Sequence, residues 1–323
     1  MYDLLSIGDT TLDSYLMLSK IQGVCEKDDQ KKVLLLQFPG KIPVELEDQS
    51  LGGNGANVAV GVKKLGFSAG LLSHVGKDII GVQIKHHLAK YHLPKSLIIT
   101  DKNKKSNFSI ILNFGQDRTI LSFHEKRNYE IKSLPETRWV YLTSLGEGWQ
   151  RLSSDLLKTL QDKNIGLVFA PGSLQLKDGS SLARQLLART NIIIMNKEEA
   201  QDYTNDKTRD IKKLLYNLQD LGPNVSVITD GKNGCWAADG AGIWFLDTLP
   251  VKVVESTGAG DAFASAFMGA IITKSDIPTA LCWGIAQSTS VIGKVGPVAG
   301  LNTKEKLESI VLKNNLIKKV KQI

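Results

Sequence analysis

The stretch Glu255-Ser256-Thr257-Gly258-Ala259-Gly260-Asp261-Ala262-Phe263, continued by ASAFMGAII to Ile272, places small residues directly before a long apolar run. Gly258, Ala259 and Gly260 leave room for backbone amides to approach a ligand. A helix over Asp261 to Ile272 would aim its free N–H groups and the positive end of its dipole at the same point, which makes an anion-binding site. The run is almost wholly apolar after Asp261, so the helix is expected to be buried and its start held rigidly. Asp261 has two readings. It is either an N-cap that satisfies first-turn amides, or a base that accepts the proton of an attacking hydroxyl while the amides steady charge on a transferred phosphoryl group. The segment by itself supports both.

Upstream, strand-like and helix-like segments alternate. Leu4 to Ile7, closed by Gly8, reads as a buried strand. After Gly52-Gly53, the residues Ala56, Val58, Ala59, Val62 and Leu65 recur at helical spacing as far as Gly66. Ala69 to Val75, Ile79 to Tyr91 and Ser96 to Thr100 continue the alternation. Beyond residue 138 it resumes with WVYLTSL, a helix near 152–163, IGLVFA, a helix near 180–188, and IIIMN. This is the rhythm of a parallel sheet covered by helices, and the fold class is α/β. VSVITDG and GIWFLD follow, and helices near 279–292 and 303–312 finish the chain.

Two segments break the rhythm. KKVLLLQFPGKIPVEL, from Lys31 to Leu46, reads as two short strands joined by Pro39-Gly40, and SNFSIILNF with RTILSFH reads as a second hairpin around Gly115-Gln116-Asp117. Both fall in the first 125 residues, so they could pair as one small sheet over the main domain and act as a lid. The expected organisation is one domain over 1–323, its lid built from insertions near 14–48 and 104–125.

Three further segments carry polar groups at element ends. In LGGNGANVA, from Leu51 to Ala59, paired glycines before a helix let a ligand touch the backbone, and Asn57 offers donor and acceptor groups that match hydroxyls; ordinary turns and caps use the same residues. Asn196-Lys197-Glu198-Glu199 follows an apolar strand, where ligands of open parallel sheets gather. Asn196 and Glu199 share a face if a helix starts there and could order waters around Mg²⁺, although acid at a helix N-terminus is common. Thr229-Asp230-Gly231-Lys232-Asn233-Gly234 also ends a strand and could meet phosphate or ribose, or be a plain hairpin turn.

Composition narrows the classes. The chain is 42% hydrophobic and 23% charged with 29 Gly and 9 Pro, as in an ordinary globular protein. No apolar run reaches the roughly 20 residues that span a bilayer, and the start MYDLLSIGDTTLD lacks the pattern of a signal peptide, so the expectation is cytoplasmic, with no membrane partner. Cys25, Cys235 and Cys282 form no CxxC, which argues against a disulfide framework or zinc site. The net charge of +7 is diffuse, and its densest lysine runs carry no interleaved aromatics, so nucleic acid is not expected. GxxxxGK[ST] and a GxGxxG after the first strand are both absent, which sets aside P-loop NTPases and common dinucleotide dehydrogenases.

Taken in order, GDTTLD, GGNGANVAVGVKKLG, the G-x-D-x-x-G of Gly76, Asp78 and Gly81, NKEE, TDGKNG and STGAGDAF resemble the ribokinase-like (PfkB) carbohydrate and nucleoside kinase family over most of the chain. The resemblance implies a ribokinase-like fold, with a mostly parallel central sheet flanked by helices and a small β-sheet lid. It implies ATP and Mg²⁺, with Asp261 as base and the amides of Gly258, Ala259 and Gly260 as anion hole. Asp13, Gly53 and Asn57 would hold acceptor hydroxyls, with Glu147 as a weaker candidate because it follows a strand but lies in no motif. Asn196, Thr229, Gly231 and Gly234 would meet the nucleotide, and Glu199 would sit near Mg²⁺. Departures remain. Glu255-Ser256 replaces the Asp-Thr of many members, which leaves K⁺ dependence open, and Asn54 stands where ribokinases proper carry Lys. The expected activity is phosphoryl transfer to a hydroxyl of a sugar or sugar derivative. The rivals are a nucleoside kinase and a non-catalytic sugar- or nucleotide-binding regulator, and an exposed lid sheet offers a route to a homodimer.

Overall fold

In the strand Ile192–Asn196, Ile192 and Ile194 enter one hydrophobic core while Ile193 and Met195 enter another. Side chains alternate across a strand, so a run that is apolar at every position must be covered on both faces. The same split recurs at Leu4 against Leu5 and at Val168 against Leu167 and Phe169. The computed structural model describes residues 1–18, 25–28, 33–114, 117–131, 133–161 and 163–323.

The central sheet has ten strands. Parallel strands run in the spatial order Ile98–Asp101, Ala69–Gly76, Tyr2–Ile7, Thr137–Leu142, Gly166–Phe169, Ile192–Asn196 and Val225–Thr229. Cys235–Asp239, Gly242–Leu246 and the terminal Lys321–Gln322 extend it antiparallel. One face is covered by helices Asn54–Lys64, Ala259–Ile272 and Ile277–Ile292, and the other by Trp149–Leu160, Ser181–Arg189 and Ile211–Gln219. This is the mostly parallel α/β sheet, covered by helices on both faces, that the sequence leads one to expect.

A separate four-stranded sheet is ordered Glu45–Gly52, Thr11–Met17, Phe108–Phe114, Asp117–Phe123. Its register sets Asp13 beside both Ser50 and Ser109. The root of this sheet is pinned by Asp78. That carboxylate caps the Ile79–Lys90 helix through Gly81 N–H at 2.8 Å and accepts from both the N–H and the Oγ of Ser106, at 2.8 and 2.6 Å. The Gly76-Asp78-Gly81 motif therefore has a structural task.

Two expectations are corrected. Pro39-Gly40 does not join a hairpin: Val33–Leu36 pairs back with Cys25–Asp28, whereas Glu45–Gly52 pairs with Thr11–Met17, so the dipeptide links strands of different sheets. The turn signal was read correctly as a break, but partner choice is a long-range property that local turn chemistry does not set. Lys31, Lys32 and Gly115-Gln116 of these hairpin readings lie outside the described residues. The second correction concerns the key helix. It starts at Ala259, with Gly258 as N-cap, and Asp261 falls at its third position.

Candidate active site

Asp261 does not cap its helix. Gly258 holds the cap position with φ +75°, and an added Cβ there would lie 2.4 Å from Pro297 Cβ, so only glycine fits. From the third position the Asp261 carboxylate projects sideways to the helix Asn54–Lys64, where Asn57 Nδ2 donates to its Oδ2 at 2.8 Å. Close helix packing sets this pair. One turn deeper, Gly61 faces Ser265 so closely that a Cβ on Gly61 would approach Ser265 Oγ to 2.2 Å. Asn57 is buried, and its Oδ1 has no hydrogen-bond partner among the described residues.

Burial pushes the Asp261 carboxyl up to about 7, and the nearby Glu199 and Asp13 carboxylates add to the rise; the Asn57 amide opposes it. A carboxylate held near neutrality is suited to exchanging a proton with a hydroxyl. Asp13 is likewise raised by burial, with Thr11 Oγ1 donating to it at 2.7 Å. Glu199 is raised by burial too.

Two cavities meet at this point. One, of about 350 Å³, is lined by Asp13, Gly53, Asn57, the 256–261 loop with Asp261, and the small sheet. The other, of about 430 Å³, is largely apolar and is lined by Thr229, Gly231, Gly234, Leu249, Val253 and Phe263 among others. Ser256, Ala259 and Gly260 border both. A Cβ on Gly260 would meet no atom within 4 Å, so the junction is open space. The Ala262 N–H closes the first helical turn on Gly258 O at 2.8 Å, and Ala259 N–H leans on Ser256 O at 3.3 Å. Among the described residues, no backbone carbonyl takes the N–H groups of Gly258, Gly260 or Asp261. An anion at the junction would meet these unpaired donors at the positive end of a 14-residue helix.

The Asn196 and Glu199 pair forms a reciprocal capping box: Glu199 N–H donates to Asn196 Oδ1 at 2.8 Å, and Asn196 N–H donates to Glu199 Oε2 at 2.9 Å. The cap role is therefore real, yet Glu199 is also close enough to Asp261 to raise it. Lys197 Nζ reaches Asp230 Oδ2 at 3.1 Å and ties this helix to the 229–234 turn. That turn does join antiparallel strands, as the hairpin reading holds, and it also lines the apolar cavity. No group of three or more His, Cys, Asp or Glu side chains able to hold a metal occurs among the described residues.

Glu147 is not brought to the site. It is exposed, pairs with Lys126 Nζ at 2.9 Å, and lines a neighbouring cavity of about 350 Å³ beside Asp9 and Ser144. Glu255 turns inward: its Oε2 accepts from Gly296 N–H at 2.7 Å, and its Oε1 is buried without a partner among the described residues. Residues that the motif reading passed over line the acceptor side. Arg118, Ile120, Ser122 and His124 all border the cavity, and their spacing of two along the strand Asp117–Phe123 and the residue just past it was the available signal. Ser109 and Ile111 pair across from Ser122 and Ile120.

An open parallel sheet whose glycine-rich helix start separates two cavities, with a carboxylate on one side, defines a transferase that brings two substrates together. Residues 34–304 match the pfkB family carbohydrate kinase, and the chain belongs to that family. It is 26% identical to an ATP-dependent 6-phosphofructokinase of Thermoanaerobacterium thermosaccharolyticum, with 96% of this chain and 94% of the relative covered. It is 25% identical to a 5-dehydro-2-deoxygluconokinase of Lacticaseibacillus casei, covering 81% and 86%. In structure it superposes on Arabidopsis thaliana ribokinase complexed with ribose and ATP with a TM-score of 0.77 at 16% identity, over 96% of this chain and 98% of that one. The protein is a kinase of the carbohydrate kinase class, and kinases of this family use ATP and Mg²⁺. No helix among the described residues is long and apolar enough to cross a membrane.

Proposed function

We propose that the chain transfers the γ-phosphoryl group of ATP to a hydroxyl of a sugar or sugar derivative bound in the cavity under the small sheet. The observation that carries this reading is the placement of Asp261 at the junction of the two cavities, with Asn57 holding its carboxylate at 2.8 Å. In the proposed step, the acceptor O–H gives its proton to Asp261 as the oxygen bonds to the γ-phosphorus. The bond from that phosphorus to the bridging oxygen breaks, and ADP leaves. Asp13, Gly53 and Asn57 Oδ1 orient the acceptor, and the unpaired amides at the helix start bind the phosphoryl oxygens. The apolar cavity takes the nucleotide, with Thr229, Gly231 and Gly234 at its edge and Asn196 beyond. Mg²⁺, when bound, neutralises phosphate charge, and Glu199 is the residue that would hold it through water.

A sugar fits better than a nucleoside. Asp13, Asn54, Asn57, Ser109 and Ser122 line the acceptor cavity with groups that match hydroxyls. The small sheet works as a lid in this reading, excluding water that would otherwise take the phosphoryl group. Exposed Leu35, Leu36, Leu46 and Leu121 on the small sheets give a second copy an apolar surface to cover, which supports a homodimer. An ATP-consumption assay over sugars, sugar phosphates and nucleosides tests the assignment. Acceptor-dependent turnover that Asp261→Asn abolishes is the expected result, and turnover confined to nucleosides would refute the sugar reading.

A further inference from the structure

We propose that Arg118 is a catalytic residue that takes up negative charge on the phosphoryl group while it passes between the cavities. The proposal deepens the phosphoryl-transfer reading above and rests on it.

Arg118 lies on the strand Asp117–Phe123 of the small sheet, far in sequence from the glycine-rich helix start. Its Nη1 nevertheless donates to Ser256 Oγ at 2.7 Å. Ser256 borders both cavities, so the guanidinium is anchored at their junction rather than deep in either one. Among the described residues no carboxylate lies within 4.0 Å of it, although Asp13 and Asp261 line the same cavity. An arginine held at the junction by a neutral hydroxyl, with no ion-pair partner among the described residues, keeps its positive charge available to a ligand. Guanidinium geometry also matches the oxygens of a phosphoryl group in a bidentate manner.

The chemistry has a place for it. As the acceptor proton passes to Asp261 and the bond to the bridging oxygen breaks, charge spreads over the three equatorial oxygens of the moving group. The unpaired amides of Gly260 and Asp261 approach from the helix side, and Arg118 approaches from the small sheet. Because the residue belongs to that sheet, the charge clamp is complete only while the sheet stands over the site. Turnover is thereby tied to lid position, and wasteful hydrolysis in the open enzyme is suppressed.

The test uses Arg118→Ala and Arg118→Lys in the full chain, with an acceptor that the unmodified enzyme turns over. Steady-state kinetics are measured beside titration of Mg-ADP with and without aluminium fluoride, a planar mimic of the phosphoryl group in flight. For Arg118→Ala, kcat is expected to fall by about 10²–10³-fold with both KM values within about threefold, on the scale of a lost transition-state donor. Mg-ADP alone should bind as before, and the tightening by aluminium fluoride should be lost. Arg118→Lys should recover part of kcat. An unchanged kcat with a raised acceptor KM would overturn the proposal and make Arg118 a reader of an anionic group on the acceptor. Unchanged kinetics with aluminium fluoride tightening intact would overturn it in favour of a purely structural contact with Ser256. Failure of the underlying reading looks different: the unmodified enzyme would show no acceptor-dependent ATP consumption, whatever stands at position 118.

Discussion

Asn57 Nδ2 and Asp261 Oδ2, 204 residues apart in the chain, lie 2.8 Å from one another across a helix pair that covers one face of the central sheet. The bond orients the carboxylate and favours its charged form, while burial and the neighbouring acids Glu199 and Asp13 favour the protonated form. The balance leaves the group near 7, which is where a general base works best at neutral pH.

Replacing the base isolates its role. Asp261→Asn keeps the shape and can still accept from Asn57, so nucleotide binding should persist while kcat falls by about 10²–10⁴-fold. Calorimetric titration with ADP beside steady-state turnover measures both. Near-normal turnover in this variant would end the mechanism.

The pH dependence follows from the same group. The base must be unprotonated, so log(kcat/KM) should rise with unit slope toward about 7 and level off above it. Asn57→Ala removes the contact that lowers the value, so the midpoint should move upward. A midpoint that stays in place would mean that the Asn57 contact does not set it.

Stability should carry the matching sign. Asp261 is raised from 3.8 to about 7 on folding, so the folded chain binds this proton more tightly than the unfolded one. Its contribution to stability is therefore lost as pH rises through that window. Thermal melts of Asp261→Asn should show a Tm advantage over the unmodified enzyme that grows between these values and is constant above them.

Two glycines at the start of this helix should behave differently. Gly258→Ala forces a side chain into φ +75° and against Pro297, so a loss of about 1–2 kcal/mol from the backbone alone is expected, with overpacking in addition. Gly260→Ala meets no atom of the protein within 4 Å and should leave stability within about 0.5 kcal/mol of the unmodified chain. Turnover of Gly260→Ala should still fall, because the methyl group enters the space that the proposed mechanism gives to the phosphoryl group. Full activity in that variant would place the phosphoryl group elsewhere.

Much of this was legible in the chain. Apolar runs that are buried on both faces announced a parallel sheet, and STGAGDAF announced a glycine-rich helix start with an acid beside it. Those are local properties, since side-chain alternation and helix dipoles act within a few residues. Pro39-Gly40 misled because it signals a break without naming the partners on either side. Glu147 misled because the end of a strand marks the sheet edge where ligands gather, not which cavity at that edge a side chain enters.

What the sequence determined alone was the α/β class, the order of its motifs and the choice of Asp261. It left open whether that acid caps a helix or takes a proton. Only the tertiary structure set the cap aside, by starting the helix two residues earlier, and it packs Gly61 against Ser265, which brings Asn57 to the carboxylate. The tertiary structure also placed Arg118 of the small sheet on Ser256. Long-range contacts of this kind depend on how whole elements bury their apolar faces together, and no local pattern records the result.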